Sequence, residues 1–125
     1  MALDPRLGAI LLEFAAGEGL ALCATFEDAL LELRHLSGEE AIAAWIRASR
    51  SVHSLKGAAA ALQLPEIVRL AVGVEAIIAP LRVSGEPLRS PHLDPLLEAA
   101  ALIRGRLAAV TAASAPGAGH STVGA

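Results

Sequence analysis

The apolar positions in the first third of the chain recur at the three- and four-residue spacing of one helix face. Pro5, a residue favoured in the first turn of a helix, precedes them. The residues on this face are Leu7, Ile10, Leu11 and Phe14, followed by Leu20, Phe26, Leu30, Leu33 and Leu36. Gly17 and Gly19 lie between the two runs, and each costs about 1 kcal/mol relative to alanine inside a helix. The pattern therefore predicts either one long helix with a weak middle or two shorter helices.

Start signals precede the next two helices. Ser37 suits an N-cap position, and Glu40 stands where a capping box places its reciprocal acid. The helix that follows is predicted over about residues 39–62, and its apolar positions are Ile42, Trp45, Ile46, Val52, Leu55 and Leu62. A third helix is predicted from Pro65 to Pro80, and its inward positions are Ile67, Leu70, Val74 and Ile77.

The remainder of the chain contains one further helix. The glycine and prolines of residues 82–91 predict a loop. Asp94 and Pro95 have the order of an N-cap residue and a first-turn proline, so a last helix is predicted from there to near Ala113. Residues 114–125 have the composition of a flexible linker.

Composition agrees with a helical fold. Alanine and leucine dominate the 54% hydrophobic fraction, and the chain has two Phe, one Trp and no Tyr. Alanine and leucine favour helices, whereas the aromatic residues favoured in strands are nearly absent. Short connections favour antiparallel neighbours. The sequence therefore predicts an all-α fold, an antiparallel four-helix bundle over residues 1–113, with a flexible C-terminal tail over residues 114–125.

Charge and hydropathy argue against several classes of partner. The formal net charge is −3, and few aromatic residues are available to stack on bases, so nucleic acid is not an expected partner. The N-terminal residues, Met-Ala-Leu-Asp-Pro-Arg, lack the apolar core of a signal peptide. No uninterrupted apolar run approaches the ~18 residues of a membrane span. We therefore expect a cytoplasmic protein without membrane insertion.

Cofactor and metal chemistry have no sequence signal. Cys23 is the single cysteine, which excludes an internal disulfide and a cysteine-based zinc site, and we expect it to be a buried thiol. His35, His92 and His120 fall at a helix end, in a loop and in the tail, and nothing spaces them as metal ligands. No glycine-rich phosphate loop is present. No metal and no cofactor are therefore expected.

Residues 50–64 read Arg-Ser-Val-His-Ser-Leu-Lys-Gly-Ala-Ala-Ala-Ala-Leu-Gln-Leu and contain the one lysine of the chain. On a helix, His53 shares a face with Lys56, Gly57 and Ala60. An imidazole and an ammonium beside a patch almost without side chains are typical of an exposed face. This face is the candidate functional site.

Glu75 is predicted to lie opposite His53. At 1.5 Å per residue, His53 lies roughly 13 Å before the end of its helix, and Glu75 lies about 15 Å into the next one. An antiparallel pair brings the two to one level. A carboxylate there would accept a hydrogen bond from one ring nitrogen and leave the other as an exposed nucleophile. Lys56 would neutralise an anion on that nitrogen and Gly57 would leave it room, which suits phosphoryl transfer through histidine.

The motif His-Ser-Leu-Lys-Gly, with Arg50 three residues before it and Leu62 and Leu64 after the small-residue run, resembles the histidine phosphotransfer (Hpt) domain family. Residues 64–75, Leu-Pro-Glu-Ile-Val-Arg-Leu-Ala-Val-Gly-Val-Glu, are similar to the third helix of that family. Glu75 matches the glutamate that bonds the phosphorylated histidine in the Hpt domain of the chemotaxis histidine kinase CheA. The chain therefore most resembles that domain.

The resemblance implies an antiparallel helical bundle with His53 phosphorylated at Nε2. It also implies that Lys56 assists the phosphate and that Gly57 gives access to it. Arg50 and Ala60 are the further candidate binding residues beside them. One position departs from the family, which usually has glycine where this chain has Gln63.

Three functions are compatible with these residues. The first is a phosphocarrier that accepts a phosphoryl group on His53 from a histidine kinase domain, or from a receiver aspartyl phosphate. It passes the group to an aspartate of a response regulator. The second is a docking bundle that binds response regulators without being phosphorylated. The third, a hydrolase with a His53–Glu75 dyad, lacks a serine or cysteine nucleophile in a recognisable setting.

Overall fold

The structure, a computed structural model, describes residues 5–114, and helices joined by turns make up this part of the chain. The elements are α1 (Pro5–Glu13), a π-helical turn (Phe14–Glu18), α2 (Gly19–Glu32), α3 (Gly38–Ala61), α4 (Pro65–Leu81) and α5 (Ser90–Ser114). The all-α prediction is confirmed. The predicted flexible tail lies outside the described residues, except for Ser114 at the end of α5.

The first helix is continuous, which decides between the two alternatives that the sequence leaves open. Backbone angles stay helical through Glu18 and Gly19, so α1, the π turn and α2 form one helix over Pro5–Glu32. The amide of Gly19 donates to the carbonyl oxygen of Phe14, five residues earlier. A Cβ on Gly19 would lie 2.9 Å from that oxygen and 3.1 Å from Cδ1 of Leu107 in α5. Glycine is required here because neighbouring groups approach so closely.

We expect Gly19→Ala to lower the free energy of unfolding by about 1–3 kcal/mol, because the added methyl overpacks the contact with Phe14 and Leu107. Gly17 is the matched control, since a Cβ there meets nothing within 4 Å. Gly17→Ala should raise stability by up to about 1 kcal/mol through helix propensity alone. Urea unfolding of both variants measures the difference, and an equal gain in both would contradict the packing role of Gly19.

The start of α3 differs in detail from its prediction. Ser37 has an extended backbone at the N-cap position, but its side chain makes no capping hydrogen bond, so the predicted capping box is wrong. Gly38 has a φ of +61°, and helical angles therefore begin only after it. Glu39 and Glu40 still favour the start of the helix through its dipole.

The turn between α3 and α4 shows how the chain accommodates Gln63. This residue has a φ of +60°, the left-handed conformation in which glycine costs least. Its amide donates to Ala60 at 3.3 Å, and the amide of Leu64 donates to Ala59 at 2.8 Å. These two bonds form a Schellman ending, so the glutamine occupies the turn position at which glycine is usual. Pro65 then begins α4 as predicted.

The predicted start of the last helix is wrong by five residues. Helix α5 begins at Ser90, and Pro95, the predicted first-turn proline, lies inside it. The carbonyl of Arg89 accepts the amides of His92 and Leu93 at 3.0 and 2.8 Å and closes the first turn. Leu93 is buried, so the earlier start gains core contact. Pro80 likewise lies inside the last turn of α4, which ends at Leu81.

The four long helices form a ring. Helix α2 packs against α3 and α5, and α4 packs against the same two, so α3 and α5 lie on one diagonal of the bundle. Two buried clusters fill the interior, one around Leu30, Trp45, Val74 and Leu96 and one around Phe14, Leu55, Ile67 and Ile103. With short turns between successive helices, the predicted antiparallel four-helix bundle is confirmed.

Cys23 belongs to the second cluster and is buried, as expected. Burial raises the pKa of its thiol to about 11, so the neutral form is held in the core. Arg104 of α5 reaches Glu27 of α2 nearby and ties these two helices together.

Within the described residues, Pro5–Glu32 is long and apolar enough, by length and composition, to cross a membrane, with a hydropathy of 1.6. The same helix buries Leu11, Phe14, Phe26 and Leu30 in the bundle. This use in a core accounts for its apolar character. The absence of membrane insertion stays a prediction.

Candidate functional site

The exposed face of α3 presents His53 to solvent. The imidazole side chain is 74% exposed, and Gly57 and Ala60, one and two turns further along, are exposed as well. Buried Val52 and Leu55 lie on either side of His53 in the sequence and fix the helix against the core. Helices α2 and α4 flank α3, so this face remains open between them.

Glu75 of α4 lies opposite this face and contacts two of its residues. Its Oε1 lies 2.7 Å from Nζ of Lys56, and its Oε2 lies 3.7 Å from Nδ1 of His53. The contact between Glu75 and Lys56 is a hydrogen-bonded ion pair, whereas the separation between Glu75 and His53 is too long for a hydrogen bond. The structure therefore places Glu75 at the predicted level, but the predicted hydrogen bond to His53 is not formed, because Lys56 takes the closer position.

The arrangement gives the two ring nitrogens of His53 different surroundings. The carboxylate near Nδ1 electrostatically favours a proton there, which leaves the lone pair on Nε2. Within the described residues, Nε2 has no hydrogen-bond partner. Lys56 and Glu75 are each 32% exposed, so their pair is only partly screened by solvent. The site therefore offers a solvent-facing nucleophilic nitrogen with an ammonium one turn away.

Gly57 has no packing role within the described chain. A Cβ at this position would meet nothing within 4 Å, although glycine weakens a helix interior. The space above it is open to a second molecule.

Arg50, one turn before His53, is exposed and makes no ion pair within residues 5–114.

We expect Lys56→Ala to slow phosphoryl transfer roughly 10–100-fold, since a charge-assisted hydrogen bond contributes about 1.5–3 kcal/mol. The fold should persist, because an ion pair whose two side chains are each about a third exposed contributes roughly 1 kcal/mol at most. Arg47→Ala is the matched control: it removes a cation from α3 that pairs with Glu32 at 2.8 Å, on the flank that faces α2. Rapid-quench kinetics compare the two variants, and equal rates would contradict the role of Lys56.

The other histidines do not join this site. His35 and His92 are exposed at separate places, and His120 lies outside the described residues. Within residues 5–114, no three side chains of histidine, cysteine, aspartate or glutamate come together as a metal site.

An apolar surface beside the site was not predicted from the sequence. Ile42 and Ile46, which belong to the apolar pattern of α3, are 56% and 44% exposed, and Val83 in the turn after α4 is 80% exposed. A signal was available for the first two, because Ile42 and Ile46 continue the helix face of His53 at four- and three-residue spacing. Nothing in the local sequence connects Val83 with them.

The fold and the site together define a helical bundle that holds a reactive imidazole on its surface. The sequence profile of the Hpt domain matches residues 20–113, about three quarters of the chain. The chain therefore belongs to the Hpt domain family, and its role is histidine phosphotransfer in a two-component phosphorelay. Comparison with curated proteins and with solved structures found no match.

Proposed function

We propose that His53 is the phosphorylated residue, with Nε2 as the atom that forms the bond. The observation that supports this assignment is the exposed ring whose Nδ1 faces Glu75 and whose Nε2 has no partner among the described residues. The donor is an ATP-using histidine kinase domain or a receiver aspartyl phosphate. The acceptor is an aspartate of a response regulator.

Both transfer steps take place at Nε2 of His53, which forms the N–P bond in the first step and loses it in the second. In the first, the Nε2 lone pair attacks phosphorus, an N–P bond forms and the P–O bond to the donor breaks. In the second, an aspartate oxygen attacks phosphorus, an acyl phosphate forms and the N–P bond breaks. The charge in both transition states lies mainly on the phosphoryl oxygens, so positioning and neutralisation dominate the catalysis. Lys56 turns from Glu75 towards these oxygens, and the magnesium ion belongs to the partner.

Small residues after His53 give the partner access. Gly57 and Ala60 are exposed and short, so the acidic pocket of a receiver domain can close over the imidazole. Arg50 lies one turn before His53 and adds a second cation for an acidic partner. The interface that we propose is transient and of modest size.

We further propose that the chain acts as the phosphotransfer domain of a CheA-like chemotaxis kinase in the cytoplasm. Glu75, which lies 3.7 Å from the ring of His53, supports this context, since a glutamate at this position is a feature of that group. A free-standing Hpt protein is the alternative context. In both, the kinase domain and the receiver domain are the expected partners.

The test of the carrier function is phosphorylation of the chain. Incubation with a histidine kinase domain and ATP, with a phosphorylated receiver, or with phosphoramidate should give a label that is acid-labile and alkali-stable. Mass spectrometry should place it on the peptide that contains His53. Receiver binding without a label from any donor would instead support the docking bundle.

A further inference from the structure

A groove beside His53 has features that the transfer chemistry does not use. It lies between the N-terminal half of α3 and the end of α4, has a volume of about 210 Å³, and is lined by Ile42, Trp45, Ile46, Ser49, Arg82 and Val83. We call it the N-terminal groove. It contains three of the large hydrophobic side chains that the described residues leave exposed. An apolar cluster at one place on a monomer marks an interaction surface more strongly than scattered residues do.

The N-terminal groove also contains unpartnered polar groups. Within the described residues, the buried side-chain nitrogen and oxygen atoms without a hydrogen-bond partner are Trp45 Nε1 and Ser49 Oγ. Both residues line this groove, and Trp45 is only 3% exposed. Arg82 is exposed and makes no ion pair within residues 5–114. Buried polar groups normally have partners, so two unpaired ones in the wall of one groove set it apart from the rest of the described surface.

The N-terminal groove is continuous with the site of His53. Ser49 and Arg82 also line the adjoining depression that contains Glu75. Ile46 lies seven residues before His53 on the same face of α3, roughly 10 Å along the helix axis. A globular domain is wider than this distance, so a partner that reaches His53 from this side covers the groove.

The charge around His53 differs between its two sides. Arg50 and Arg82 lie towards the N-terminal groove, where the Glu75 carboxylate is already paired with Lys56. On the other side, the groove between α1 and the end of α3 contains Glu13 and Glu18. A receiver domain presents an acceptor aspartate and the carboxylates that hold magnesium, so its acidic face is attracted to the first side and repelled by the second.

We propose that the N-terminal groove is the docking site of the receiver domain that exchanges phosphate with His53. An apolar side chain of the receiver lies between Ile42, Ile46 and Val83. A carboxylate of the receiver pairs with Arg82, which is exposed. This inference rests on the proposed function, because it assigns the partner surface of the same site.

The test separates docking from chemistry. The chain is first phosphorylated with phosphoramidate, a donor too small to need the groove, and is then desalted and mixed with a receiver domain that accepts phosphate from the unmodified chain. The variants are Ile46→Asp with Val83→Asp, and separately Arg82→Glu, all at exposed positions. Leu102→Asp is the matched control: Leu102 is 50% exposed on α5, the helix diagonal to α3.

We expect all variants to take up phosphate from phosphoramidate as the unmodified chain does. The groove variants should raise KM for the receiver about tenfold or more, as expected when one apolar contact is replaced by a charge, with little change in kcat. Leu102→Asp should leave KM unchanged. Trp45 is the one tryptophan of a chain without tyrosine, so its emission should change when a tryptophan-free receiver binds.

Each alternative result overturns a different statement. An unchanged KM in both groove variants overturns the docking site, and so does an equal loss in Leu102→Asp. Normal transfer to the receiver with lost phosphorylation by a kinase domain assigns the groove to the donor and overturns the occupant proposed here. Absence of label on the unmodified chain overturns the proposed function itself.

Discussion

His53→Gln should abolish phosphorylation of the chain by every donor. Glutamine retains a polar side chain of similar length, but its amide nitrogen has no available lone pair and cannot attack phosphorus. The fold should be unaffected, because the ring is 74% exposed and makes no hydrogen bond with the described residues. The free energy of unfolding should therefore change by no more than about 0.5 kcal/mol. Radiolabel from kinase and ATP, together with urea unfolding, measures both quantities.

The chain offers matched controls for this variant. His35 and His92 are also exposed, and neither lies beside the Lys56–Glu75 pair. His35→Gln and His92→Gln should retain full labelling. A label that persists in His53→Gln, or one that disappears in His92→Gln, would show that the assignment of the phosphorylated residue is wrong.

Gly57→Phe should prevent transfer to the receiver while leaving the imidazole chemically competent. The benzyl group would occupy the open space one turn from His53 and hold the acceptor aspartate away from the phosphorus. A displacement of about 1 Å can cost roughly 100-fold in rate, so a loss of at least that size is expected. Labelling by phosphoramidate, which needs little room, should persist.

Alanine substitutions separate access from stability at this position. Gly57 and Gly73 are both helical, exposed and free of atoms within 4 Å of an added Cβ. Gly57→Ala and Gly73→Ala should therefore each raise the free energy of unfolding by up to about 1 kcal/mol. Gly73→Ala should not affect transfer. Normal transfer by Gly57→Phe would mean that the glycine does not serve the partner.

Local signals in the sequence predicted some helix ends well and others poorly. Pro65 marks the start of α4 because its ring fixes φ and it needs no amide partner in a first turn. Before the last helix, two places have the pattern of an N-cap followed by proline, Ser90–Pro91 and Asp94–Pro95, and the start at Ser90 prevails because it brings Leu93 into the core. That preference depends on the packed bundle, which local spacing does not contain. The need for glycine at position 19 likewise depends on Leu107, which lies far along the chain.

The candidate site was predictable to the level of a helix turn. Helix rise alone brings Glu75 opposite His53, and the periodicity of α3 places Lys56 and Gly57 on the same face. Glu75 lies about one ångström closer to the lysine than to the imidazole. That difference depends on side-chain rotamers, which periodicity does not specify. Val83 meets the α3 isoleucines only through tertiary structure, so the N-terminal groove could not be found from local patterns.

The π-helical turn at Phe14–Glu18 has a consequence for the tolerance of this chain to length changes. A π turn accommodates one more residue than the α-helical turn it replaces, and each residue of an α-helix corresponds to 100° of rotation. Deletion of one residue from this segment would restore regular helix and leave the angular position of Leu11 nearly unchanged, whereas a deletion in a regular part of the same helix would rotate Leu11 by about 100°. The irregularity therefore absorbs one residue while the N-terminal segment keeps its orientation relative to everything that follows it.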